Sequence, residues 1–205
     1  YADRRASGDV AVWNDSLQVL TLSGELPLNL SFNAVEERLP EEGIDLVVVS
    51  DQLPLLLLMA PFPGYEEVVG TMSGRVDVGG TSRSLAPRGR LTVDGGGAFL
   101  SGLGVRQEEV NGTLDWFPDG RLEVDVGTRA LGTARVEGTV TLTAVLDPGF
   151  DLDVRFDGFQ AIDRRDATGR LSGAIHLAGS YSRPLISGDL FVDEGTLFVE
   201  EFQRA

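Results

Sequence analysis

In the stretch Phe150-Asp151-Leu152-Asp153-Val154-Arg155-Phe156-Asp157 every second residue is apolar and each residue between is charged. Alternation at period two sorts its side chains in an extended strand, which turns one dry face and one wet face. The pattern returns in Arg121-Leu122-Glu123-Val124-Asp125-Val126 and in Thr139-Val140-Thr141-Leu142-Thr143. No long amphipathic helix pattern accompanies it. The expected fold is therefore all-β, an elongated antiparallel sheet with little or no helix. Such a sheet covers its apolar side by closing into a barrel, by stacking on a second sheet, or by folding lengthwise into a trough, and alternation alone leaves all three open.

Glycine, Asp-Gly and Pro-Gly punctuate the chain every ten to fifteen residues or so, which divides it into short strands. The predicted strands are Asp9–Trp13, Leu26–Phe32, Ile44–Val49, Gly74–Val78, Gly89–Val93, Gly112–Trp116, Arg121–Val126, Arg135–Leu146, Phe150–Phe156, Arg170–Leu177, Gly188–Val192 and Thr196–Val199. Asp119-Gly120 and Pro148-Gly149 read as hairpin turns. Glu36–Glu42 reads as a loop. Asp51–Ala60 is either a buried strand or, as we favour, one short helix with Pro54 in its first turn. No linker or low-complexity tract divides the chain, so residues 1–205 are expected to form one continuous β-repeat segment.

Composition narrows the function classes. The formal charge of −15 repels nucleic acid and anionic bilayer surfaces, so no nucleic-acid partner is expected. Without cysteine there is neither a disulfide nor a thiolate metal site, and the compartment is left undetermined. All basic residues are arginine. The longest apolar run, Leu53–Pro63, is interrupted by prolines 54, 61 and 63 and is too short to span a bilayer. The chain opens on Tyr1 and shows no secretory signal pattern, which suggests a segment whose targeting element lies elsewhere.

No catalytic set emerges, and neither cofactor nor metal is expected. His176, the single histidine, falls on the polar side of its strand. Asp151, Asp153 and Asp157 share a face with Arg155, and Ile162 stands where a calcium loop needs its bidentate glutamate. Gly95-Gly96-Gly97 and Gly102-Leu103-Gly104 read as turns or bulges, not phosphate loops, because no helix pattern follows them. Trp13 and Trp116 end alternating runs and read as packing residues.

One passage is written twice. Gly74-Arg-Val76-Asp-Val78-Gly79-Gly80-Thr81, leading to Pro87 and Gly89, is matched by Gly173-Ala-Ile175-His-Leu177-Ala-Gly179-Ser180, leading to Pro184 and Gly188. Each copy reads as strand, turn, strand, a unit reused along an elongated body and not a reactive centre. The fuller second copy, Gly169-Arg-Leu171-Ser-Gly173 through Tyr181, Pro184 and Gly188 to Leu190-Phe-Val192, resembles the TamB (translocation and assembly module subunit) and AsmA-like family. Ser23-Gly24-Glu25-Leu26-Pro27-Leu28 carries similar traits.

The resemblance implies a periplasmic segment of an inner-membrane-anchored bacterial envelope protein, its anchor outside this segment, folded as a trough (β-taco) with a greasy interior. It further implies an outer-membrane partner of the Omp85 class, a part in outer-membrane protein assembly, and movement of phospholipids between the two membranes. On this view the lining comprises Leu28, Leu30, Val76, Val78, Leu122, Val124, Val126, Leu152, Val154, Phe156, Ile175 and Leu177, and the ligand is phospholipid acyl chains. Burying apolar surface is worth about 25 cal/mol per Å², so a smooth aliphatic lining shields a tail without anchoring it. The rival expectation is an interaction scaffold whose free edge, near Gly188–Val192, receives strands of client proteins by β-augmentation. A carbohydrate-active solenoid enzyme would need a stripe of outward carboxylates and aromatics, which the sequence lacks.

Overall fold

The computed structural model describes residues 5–28, 42–81, 84–141 and 147–197. They form strands β1 (Arg5–Asn14), β2 (Leu17–Pro27), β3 (Asp45–Pro54), β4 (Tyr65–Thr81), β5 (Ser84–Leu100), β6 (Val105–Trp116), β7 (Arg121–Ala130), β8 (Gly132–Thr141), β9 (Gly149–Asp163), β10 (Ala167–Ser180) and β11 (Arg183–Leu197), with one short helix α1 (Leu55–Met59). The strands make a single sheet in chain order, every neighbouring pair antiparallel. At about 4.8 Å per strand it is on the order of 50 Å across.

The sheet is open and uncurled. The all-β antiparallel expectation holds, but the described strands do not fold lengthwise into a trough (β-taco): their apolar residues lie on one face of an open sheet. This single layer leaves 13445 Å² of accessible surface; a compact monomer of 22.0 kDa exposes about 9,300 Å². The buried apolar side chains are correspondingly few and scattered: Val19, Ile44, Leu53, Val76, Val105 and Ala134 among the described residues, of which only Val19 is fully enclosed.

Several boundaries differ from the sequence reading. The favoured helix over Asp51–Ala60 shrinks to Leu55–Met59, because Asp51–Pro54 continue β3 and pair with β4 through Leu53↔Met72 and Pro54↔Thr71. The strand placed at Leu26–Phe32 runs instead over Leu17–Pro27; Leu28 follows it, and residues 29–32 lie outside the described ones, as does most of the loop Glu36–Glu42. Gly188–Val192 and the start of Thr196–Val199 are one strand, β11, with Val199 outside the described residues. Asp119-Gly120 is a tight hairpin turn: the Phe117 amide donates to Arg121 O at 2.8 Å, and the Gly120 amide to Phe117 O at 3.0 Å. Pro148-Gly149 is not one. Thr141 pairs with Gly149, so the reversal is wider, and residues 142–146 within it are outside the described ones.

Bulges form a seam across β3 to β6. Gln52, Glu67 and Glu109 take positive φ, Gly95 joins them, and registers shift at Ser50/Leu53, Glu66/Val69, Val93/Gly96 and Gly96/Ala98. Gly95-Gly96-Gly97 is thus a bulge inside β5, and Gly102-Leu103-Gly104 is the β5–β6 turn, as expected. Bulges bend strands. Beyond the shorter β7–β8 hairpin the long neighbours meet: the Asp163 amide donates to Leu103 O at 2.9 Å, and Arg164 Nη1 to Gly102 O at 3.2 Å. The Gln160 amide donates to Leu131 O at 2.9 Å. This clasp ties the β5–β6 and β9–β10 tips together over the end of β7–β8.

Candidate functional site

Register places the apolar residues of successive strands in rows. One row runs Leu22, Val48, Val76, Gly89, Trp116, Leu122, Val140, Phe150, Gly179, Pro184. The next runs Leu91, Leu114, Val124, Gly138, Leu152, Leu177, Ile186, and a third Met72, Val93, Gly112, Val126, Val136, Val154, Ile175, Gly188. Because side chains at a shared register position point the same way, these rows form one aliphatic face.

Of the lining named from sequence, Val76, Val78, Leu122, Val124, Val126, Leu152, Val154, Phe156, Ile175 and Leu177 all fall on this face. Leu28 is half-buried just past the end of β2, and Leu30 lies outside the described residues. Apart from buried Val76, the described lining residues on the face are half-buried, covered laterally by their neighbours and not by a second layer, while Pro184, Ile186 and Gly188 on the edge strand are exposed. Sequence reasoning missed Leu20 and Leu22, because the strand was placed too late. It also passed over Leu91, Leu114 and Val136, which the alternation in predicted strands already marked.

The repeat occupies equivalent places. Its first copy is the β4–β5 hairpin and its second β10–β11, with Val76 opposite Gly89 and Ile175 opposite Gly188. The leading glycines behave alike: Gly74 has φ 144° and a Cβ there would stand 2.1 Å from Arg90 O, while Gly173 has φ 131° with Asp189 O at 2.3 Å. No side chain fits where the next strand's backbone comes so close.

The opposite face is ionic. Arg135 bonds Asp125 at 2.9 Å and Glu137 at 2.8 Å, and Arg155 reaches Glu137 at 2.7 Å. Arg90 pairs with Asp115, Arg75 with Asp77, and Arg121 with Glu123. Hydrogen bonds that the guanidinium groups donate to these carboxylates, chiefly Asp77, Asp115 and Asp125, raise the pKa values of Arg75, Arg90 and Arg135 above their ordinary range. Exposed pairs of this kind contribute little stability; they keep the face wet.

His176 lies on this side, Nδ1 at 3.2 Å from Asp153 and Nε2 at 3.7 Å from Asp151. Its cross-strand neighbour is Ser187, to which it makes no hydrogen bond among the described residues. Among the described residues no cluster of three histidine, aspartate or glutamate side chains is arranged to hold a metal. A depression of about 610 Å³ is also on the polar side, around Glu109, Asn111, Thr113, Asp125, Arg129 and Arg135. Its cations and anions neutralise each other, so it offers no single-charge ligand a site.

What the aliphatic face offers is apolar surface that another apolar group can cover. No curated protein and no solved structure matches the chain. Residues 121–205 match the family model of the TamB C-terminal domain.

Proposed function

We propose that this chain, whose residues 121–205 match the family model of the TamB C-terminal domain, is a segment of an envelope protein whose aliphatic β-face shields phospholipid acyl chains and conducts them between the inner and outer membranes. The observation that carries the reading is the apolar face itself, continuous from Leu22 to Ile186 and without a covering layer. A tail laid along it loses contact with water at about 25 cal/mol per Å² of apolar area covered. Because Val, Leu and Ile line the path without a polar anchor, one position holds the tail about as well as the next, and it slides. The ionic face keeps the outside of the conduit soluble. On this reading the segment lies in the periplasm, residues 1–205 act as one repeat segment of a larger protein, and an Omp85-class protein receives the far end. The activity is transfer, not catalysis.

Lipid mass spectrometry on the purified chain tests this. Acyl lipids should accompany the wild-type protein and be lost from Val154→Asp; a wild-type protein free of lipid, or a variant that keeps it, overturns the reading.

A second reading has its own observation. β11 is exposed along its entire length, with Ile186 70%, Phe191 65% and Val192 75% accessible. A long apolar edge with unpaired backbone groups accepts another strand readily. Under this reading the segment is a scaffold that receives strands of outer-membrane proteins by β-augmentation.

A further inference from the structure

Helix α1 is apolar on every side and has no buried residue. A helix of that kind is ordinarily enclosed by protein or by lipid. Here Leu56, Leu57, Leu58 and Phe62 are 55%, 48%, 39% and 57% exposed. The segment from Pro54 to Tyr65 holds no charged residue.

The protrusion is built, not loose. Leu55 is its foot: its Cδ1 sits 3.1 Å from where a Gly96 Cβ would be, beside Val110. Val110 shares the side of β6 that carries Leu114 and Trp116, so α1 stands over the aliphatic face. The Ala60 amide donates to Leu56 O at 3.0 Å, the Phe62 amide to Met59 O at 2.9 Å, and the Ser101 amide to Gly64 O at 3.2 Å. Prolines 54, 61 and 63 stiffen the same backbone. Its leucines are held out in solvent while the sheet below has apolar surface to offer them.

We infer that α1 and Phe62 form a finger that docks the chain on a zwitterionic lipid bilayer by inserting its leucines among the acyl chains. Charge decides against an anionic surface: the nearest ionic neighbours along the chain are Asp51, Glu66 and Glu67, and Arg106 is already paired with Glu67. Size decides against a second copy of the chain. A five-residue helix with Phe62 offers four large exposed apolar side chains, too few to supply the roughly 800 Å² per partner that a stable dimer buries. Docking stands on the finger alone; its use, bringing the aliphatic face to the hydrocarbon, rests on the lipid-transfer reading above.

Flotation with vesicles of phosphatidylcholine alone tests it. The wild-type chain is expected to float, in low salt and in 0.5 M NaCl alike, while L57D/F62D partitions at least about tenfold less. Tyr181→Asp, at an exposed aromatic site away from the finger, should float as wild type. Because the chain has no cysteine, Leu57→Cys carrying a polarity-sensitive dye gives a second readout, a blue shift on adding vesicles. Wild-type protein that stays at the bottom, a finger variant that floats undiminished, or a dye that does not shift overturns the inference. So does a dimer in gel filtration that L57D/F62D dissociates, since the occupant is then a second copy. Val154→Asp separates the two proposals: it should lose co-purifying lipid and still float.

Discussion

Val76 on β4 stands directly opposite Gly89 on β5, and the same relationship joins Ile175 on β10 to Gly188 on β11. A branched side chain lies over a residue with none, and the two strands approach until a Cβ at Gly89 would be 2.0 Å from Arg75 O. The repeated motif is the sequence record of this close approach.

Gly74→Val and Gly173→Val should each lower stability by about 2 kcal/mol or more, since both combine positive φ with a backbone clash. Gly8→Ala, where a Cβ meets nothing within 4 Å, should change it by less than about 0.5 kcal/mol. Urea titrations of the three variants check the contrast.

Val154→Asp places a carboxylate between Val136 and Ile175 in the middle of the aliphatic face. Co-purifying lipid should fall at least about tenfold. Arg155→Gln, one residue along on the ionic face, should leave it unchanged by the same mass-spectrometric assay.

Amides of successive residues in an edge strand point alternately inward and outward. Of Leu190→Pro and Phe191→Pro, one therefore removes an outward donor and keeps the β10 ladder. If β11 captures client strands, that variant keeps its circular dichroism and loses crosslinks to an added strand peptide.

Gly104 has φ 70°, and a Cβ there would meet Asp163 O at 2.0 Å. Gly104→Val should open the clasp without unfolding the sheet. Hydrogen exchange should then speed up at Asp163 and Gln160 and stay slow in the β7–β8 ladder.

The Ser182 amide donates to Asp147 Oδ1 at 2.8 Å, and its hydroxyl to Oδ2 at 3.1 Å. The backbone bond first, then the hydroxyl bonds, hold the Asp147 carboxyl below the usual carboxylate range. A depressed carboxylate stabilises the fold above its unfolded value, about 3.9, and that contribution is lost as pH falls through the folded one. The Ser182 amide resonance should titrate with a midpoint below 3.9 or so, and Asp147→Asn should abolish the titration.

The aliphatic face was legible because period-two alternation is local: knowing that Leu152 and Val154 share a side needs only the strand between them. Cross-strand neighbours were legible where a tight turn sets the register, as Asp119-Gly120 does for β6 and β7. Where the reading failed, the deciding contact was distant. Asp51–Pro54 carry a helix-compatible composition, yet pairing with Thr71 and Met72 holds them in β3. Leu17–Leu22 were a different kind of miss: they pair with β1 across the two-residue turn Asp15-Ser16, a local signal that the reading passed over.

By itself the sequence determined that this chain is made of antiparallel strands with one wet and one dry side, and that two hairpins share a glycine-marked pattern, since both follow from neighbours a few residues apart. Only the tertiary structure decided that all the strands join one open sheet, that the Leu103 and Asp163 tips clasp, and that the leucines of α1 point into solvent. Those outcomes depend on bulges and backbone contacts between residues far apart in the chain, to which local periodicity is blind.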